Sequence, residues 1–205
     1  MKTKNFIALA LCAFFGLVNA QTKTTKPESA FEVSINGKIY KVIEGQPLNI
    51  EGDLKSPTIK VTSLPYRLIE TAGMKIQYPA EMNFAYEQSE NLDNWTLNGN
   101  DVVVMIFEFD GDVSVDDIIN ETRKKFGNKN CKLSESNGEL GGKRFKVKSL
   151  QVKIAEQILM MDYYIIEAGN GKTRFICIQD LFNNGQHSDE FARVFSMIGN
   201  AIVFK

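Results

Sequence analysis

Residues 142–181 leave this chain little choice of fold. Three extended runs lie there, at 142–154, 158–167 and 172–181, and Asn170-Gly171 separates the last two. An Asn-Gly step between apolar runs is a strong hairpin signal, because both residues accept the positive φ of a type I′ turn. The middle run contains Leu159-Met160-Met161-Asp162-Tyr163-Tyr164-Ile165-Ile166 and is apolar on both faces of a strand. Such a strand needs cover on both sides.

The first twenty residues read as an export signal rather than as part of the fold. Lys2 and Lys4 form a basic start, residues 6–18 an apolar core, and Val18-Asn19-Ala20 a small-residue cleavage site. Cleavage is expected between Ala20 and Gln21, giving a periplasmic or extracellular protein with a leader of bacterial type. The apolar core is too short to span a bilayer, and no other stretch approaches the length required. Cys12 follows Leu11 rather than a small residue, so no lipid anchor is expected there.

Without Lys2 and Lys4 the chain carries 22 basic and 25 acidic residues, a net charge near −3. That balance speaks against a nucleic-acid partner. Lys143, Arg144, Lys146, Lys148 and Lys153 cluster, but they alternate with Phe145 and Val147, as on a strand with one solvated face. The apolar set then changes parity, from Phe145 and Val147 to Leu150, Val152 and Ile154. A strand that changes face requires an inserted residue, so a bulge is expected between Lys148 and Leu150.

Along the chain, residues 21–30 read as a flexible leader and 31–70 as a loop-rich β extension. The extension opens with a hairpin about Asn36-Gly37 and is interrupted by Pro47, Pro57 and Pro65. Residues 71–205 read as the main domain. Residues 74–78 and 101–109 are strands. One helix is capped by Ser114 and stopped by Gly127, with Val115, Ile118, Ile119, Thr122 and Phe126 on its buried stripe. A second is capped by Ser188 and stopped by Gly199, with Phe191, Val194, Phe195 and Ile198 inward. A closing strand covers 201–204.

From Gly73 onward this order of elements resembles the PsbP/Mog1/DcrB-like superfamily. The matching pieces are the strand 73–79, the helix 115–126 after a buried strand, the Gly141-Gly142 hairpin block, and the last helix running into Ala201-Ile202-Val203-Phe204. The resemblance implies an α+β fold: an α/β/α sandwich with a central, largely antiparallel sheet and two main helices packed on it, here carrying an N-terminal β-hairpin extension. It also implies a binding or assembly role, which the fold alone does not transfer.

No catalytic constellation stands out. His187, the one histidine, sits in a polar loop and reads as exposed and without a partner. Asp110, Asp112, Ser114 and Glu121 have the spacing of calcium-loop positions 1, 3, 5 and 12, but Val115 occupies the glycine position and the pattern has become helical. Asp162 interrupts the central strand and Glu108 ends another. Buried carboxylates of this kind have shifted pKa values and can act as acid and base when two converge. Cys131 and Cys177 are compatible with a disulfide, with two separate buried thiols as the competing account. Asn94-Trp95-Thr96 and Asn120-Glu121-Thr122 match the glycosylation sequon, which carries little meaning behind a bacterial leader.

These observations lead to an exported, non-enzymatic binding or assembly module. Its partner is a protein or a small ligand, its binding residues are unassigned, and neither cofactor nor metal is expected. The alternatives are a carboxylate-dependent hydrolase using Asp162, Glu108 or Asp110, and a small-ligand or lipid carrier with an apolar cavity.

Overall fold

A computed structural model describes residues 26–52, 54–166, 171–183 and 185–205. The expected signal peptide, its Ala20–Gln21 cleavage site and the Asn170 half of the second hairpin turn lie outside the described residues. The described chain is mostly β, with 59% of it in strands and 16% helical. Strands β1 (Glu28–Ile35), β2 (Lys38–Ile43), β3 (Ile59–Thr71) and β4 (Met74–Pro79) are followed by β5 (Asn83–Ser89), β6 (Leu92–Asn98) and β7 (Val102–Asp110). Helix α1 (Val115–Phe126) precedes β8 (Cys131–Leu140), β9 (Lys143–Ile154), β10 (Gln157–Ile166) and β11 (Lys172–Leu181). Helix α2 (Asp189–Ala201) and the short β12 (Val203–Phe204) complete the set.

The strands form two antiparallel sheets. One has the order β12-β4-β3-β1-β2 and the other β5-β6-β7-β11-β10-β9-β8. The chain is therefore not an α/β/α sandwich, and the fold class expected from its sequence is corrected. Three strands account for most of the difference. β5 and β6 hide in a polar stretch, and β8 carries mainly exposed residues along the sheet edge. The layer over one face of the seven-stranded sheet is a second sheet together with α2. Ile69, Met74, Ile76 and Tyr78 from β3 and β4, with Val194 and Ile198 from α2, share a core with Leu97, Val104, Ile106, Tyr164, Ile176 and Ile178. Helix α1 covers the opposite face, where Val115 and Ile119 meet Met105, Phe107, Leu150, Val152, Met161, Tyr163 and Phe175.

This double cover explains β9, whose expected bulge is absent. Its pairing with β10 runs without a shift from Ile154↔Gln157 to Val147↔Tyr164. Val147 enters the core under α2 while Leu150 and Val152 enter the core under α1. The strand keeps its period of two, and the two faces are covered over different stretches of its length. The irregularity falls instead between β1 and β3, where the register shifts between Ser29 and Phe31. Pro65 lies opposite that shift, in a place where a missing N–H breaks no ladder bond.

Both helix starts follow the expected chemistry. Ser114 accepts from the Asp116 N–H and Ser188 from the Phe191 N–H. Of the two stripes, Val115, Ile119, Val194 and Ile198 are buried, whereas Ile118, Phe126, Phe191 and Phe195 are only partly so. The end of α2 differs from expectation, because the helix passes through Gly199 to Ala201. Gly199 instead brings the β8–β9 turn close, and the Gly141 N–H donates to the Gly199 carbonyl at 2.7 Å.

Candidate functional site

The carboxylates singled out in the sequence do not converge. Glu108 and Arg174 are cross-strand partners on β7 and β11, and Asp162 is the partner of Ile178 on β10 and β11. Arg174 and Ile178 are four residues apart, roughly 13 Å along the strand. Glu108 is 8% exposed. It bonds Lys172 Nζ through Oε1 at 2.5 Å and Arg174 Nε through Oε2 at 2.5 Å. Burial pushes its pKa up, but the two cations outweigh burial and hold it below the ordinary value. Asp110 pairs with Lys172 at 3.3 Å, and Glu121, in mid-helix, pairs with Lys124. Ser114 is committed to its cap, so the calcium-like spacing resolves into a capped helix and two ion pairs. No group of metal-ligating side chains assembles among the described residues.

Asp162 lies instead in a second polar cluster. Ser149 Oγ donates to its Oδ1 at 2.5 Å. Burial raises the Asp162 pKa, the Ser149 bond and the His187 charge oppose that rise, and Asp180 adds to it. Because the folded pKa is the higher one, this group favours folding below the unfolded pKa of about 3.9, and the benefit is lost as pH rises through the folded value. Asp162→Asn is therefore expected to raise stability at neutral pH by roughly 0.5–1 kcal/mol. The gain should vanish below pH of about 3.9, as urea titrations across pH would read. A variant destabilised at neutral pH would contradict this.

Asp180 went unnoticed in the sequence, although it is the one charge in the apolar run 175–181. It is fully buried. It accepts from the Ser188 N–H at 3.0 Å and from Ser188 Oγ at 2.6 Å, and its Oδ2 lies 2.9 Å from His187 Nδ1. His187 is exposed as expected, but the expectation that it has no partner is corrected by Asp180. The histidine side chain is 36% exposed and its ring stacks on Phe191 at 4.0 Å. The cluster ties the segment after β11 to the start of α2.

Cys131 and Cys177 are both free. β9 and β10 stand between their strands, a separation of about 14 Å across the sheet. A disulfide needs Cα atoms within about 7 Å, so the bridge is excluded. Burial raises both thiol pKa values. Asn94 of the first sequon is buried.

The most site-like surface includes the strand face whose alternation predicts solvation. Lys143, Arg144, Phe145 and Lys146 of β9 form one side of a groove of about 490 Å³. Arg174 of β11, Phe204 and Lys205 at the end of β12, and Ala72-Gly73 between β3 and β4 form the other. Among the described residues lining it, five are cationic and none is acidic. The alternation is incomplete, because Lys143 shares parity with Phe145. Its Nζ lies over the Phe204 ring at 5.1 Å, and the Phe145 and Phe204 rings are 5.2 Å apart. Lys205 is fixed by its N–H to the Gly73 carbonyl at 2.8 Å and by its Nζ to Glu70 at 2.6 Å. Arg144 and Lys146 meet no carboxylate among the described residues. Arg174 and Lys205 come from distant segments, which is why the cluster 143–153 alone looked like a solvated face.

A neighbouring groove of about 650 Å³ shares Lys146, Ile165 and Ile166 with the first. Two of its three lysines are offset, Lys148 by Asp116 at 2.6 Å and Lys172 by Glu108 and Asp110. No helix among the described residues is long and apolar enough to cross a membrane. Comparison with protein-family models and with curated proteins yields no match.

Proposed function

We propose that this chain is an exported, non-enzymatic binding module that holds an anionic partner in the groove between β9, β11 and β12. The single observation carrying this reading is the local charge. A chain of net charge −1 gathers Lys143, Arg144, Lys146, Arg174 and Lys205 around one groove with two phenylalanine rings in its wall. Concentrated cations in a negative protein steer and retain anions, an effect that salt weakens. Nucleic acid remains a poor partner for a chain with this overall charge. The separation of Glu108 and Asp110 from Asp162 supports binding over carboxylate-dependent hydrolysis. The open, charged groove likewise supports an anion over a buried lipid. Export rests on the basic, apolar and small-residue pattern of residues 2–20.

Arg144 and Lys146 are exposed, so reversing both charges should leave the fold intact. The variant Arg144→Glu/Lys146→Glu is expected to weaken the binding of small polyanions such as citrate by tenfold or more, or about 1.4 kcal/mol. Chemical-shift mapping by NMR should place the wild-type response at the start of β9 and at Gly73. Shifts scattered over the surface, or unchanged by charge reversal, would refute the reading.

A further inference from the structure

We infer that the groove recognises a phosphate monoester carried on an apolar or aromatic group, with Arg174 reading the phosphate and the Phe145–Phe204 wall reading the carrier. This rests on the anion-binding role proposed above and narrows it to one chemistry. Arg174 is the best-oriented cation in the groove. Buried Glu108 holds its Nε at 2.5 Å and is itself held by Lys172 at 2.5 Å. The guanidinium packs on the β3–β4 turn at Gly73, where a Cβ would fall 3.1 Å from Nη1. Gly73 has φ +71 and no side chain, so the guanidinium can occupy that space. The Nη groups bond no acceptor among the described residues. A planar donor fixed from behind, with its outer nitrogens open, suits two oxygens of one tetrahedral anion.

Charge decides between a monoanion and a dianion. Lys205 is offset by Glu70, and Arg174 shares Glu108 with Lys172. Lys143, Arg144 and Lys146 have no carboxylate partner among the described residues. A carboxylate would compensate one of those three charges, whereas a phosphate monoester carries up to two at neutral pH. The carrier follows from the wall. Phe145 and Phe204 present tilted rings 5.2 Å apart beside the cations, a surface for a flat or apolar group.

The test is calorimetric titration of the full exported chain with phenyl phosphate, benzoate and inorganic phosphate. Phenyl phosphate is expected to bind at least tenfold more tightly than either. Arg174→Lys, which keeps the charge beside Glu108 but loses the planar fork, should weaken phenyl phosphate about tenfold and benzoate much less. Phe204→Leu should narrow the gap between phenyl phosphate and inorganic phosphate. Should Arg174→Lys unfold, Arg144→Gln at an exposed position supplies the second measurement, with a several-fold loss expected for phenyl phosphate. Benzoate binding as tightly as phenyl phosphate would overturn the phosphate inference and leave the anion groove standing. Failure of all three ligands and of citrate would remove both. Vesicles of phosphatidylcholine with phosphatidic acid distinguish the source. Capture that phenyl phosphate competes away assigns the monoester to a lipid headgroup and supports the inference. Capture that it leaves untouched, with no phenyl phosphate binding in solution, would overturn it in favour of surface attraction to the membrane.

Discussion

Replacing Asp180 with alanine is expected to lower the unfolding free energy by about 3 kcal/mol. The carboxylate is fully buried and joins Ser188 N, Ser188 Oγ and His187 Nδ1. Ser188 Oγ in turn accepts from the Phe191 N–H at 3.0 Å, so losing Asp180 also loosens the cap of α2. Asp180→Asn keeps one acceptor oxygen and should cost less, about half as much, because one charge-assisted bond is retained in weaker form. Urea unfolding with an unchanged slope against denaturant would measure both. A loss below about 1 kcal/mol for Asp180→Ala would mean that the cluster is relaxed in solution. Since a domain of this kind is held by only about 5–15 kcal/mol, the expected loss is a large fraction of the whole.

Gly141→Val should be at least as damaging, at about 3–4 kcal/mol. Gly141 has φ +58, and a Cβ there would lie 2.5 Å from the Ile202 carbonyl oxygen. That neighbour is backbone and cannot rotate away. Relieving the clash means moving the turn, which breaks the Gly141–Gly199 hydrogen bond that seats the turn on α2. Gly142→Ala is the internal control. Gly142 has φ +71 but nothing within 4 Å of its would-be Cβ, so only the left-handed backbone penalty of about 1 kcal/mol applies. Thermal unfolding of the two variants side by side separates strain from collision. Equal effects would refute the contact with Ile202.

Much of the β block was legible because local rules governed it. Asn36-Gly37 turns with φ 50 and φ 83 as its residue types require, and β11 begins and ends at Lys172 and Leu181 as its apolar run does. Both serine caps were visible for the same reason. What escaped was non-local. β6 reads Leu-Asp-Asn-Trp-Thr-Leu-Asn, too polar to announce a buried strand, yet Asn94 and Thr96 are buried and bond each other at 3.3 Å. Trp95 is buried against Tyr86 of the neighbouring strand at 5.4 Å. Gly199 looks like a helix stop, but its surroundings use its small size for a turn arriving from elsewhere. Of the groove, the part within 143–148 could be seen in the sequence. Its orienting pair, Glu108 and Arg174, exists only because β7 and β11 are neighbours.

That pairing has a kinetic consequence. The seven-stranded sheet consists of two runs of sequential neighbours, β5-β6-β7 and β11-β10-β9-β8, joined along the single β7–β11 ladder. Each run can zip through short turns. The joint must instead close over about 60 residues, at an entropic cost of roughly 3–4 kcal/mol. Formation of the joint is thus the natural slow step of folding, and its parting the natural first step of large-scale opening. Cys177 sits within it, paired with Met105 and fully buried, its thiol driven up by that burial. Its rate of capture by a thiol reagent in the native protein therefore tracks how often the two halves of the sheet come apart.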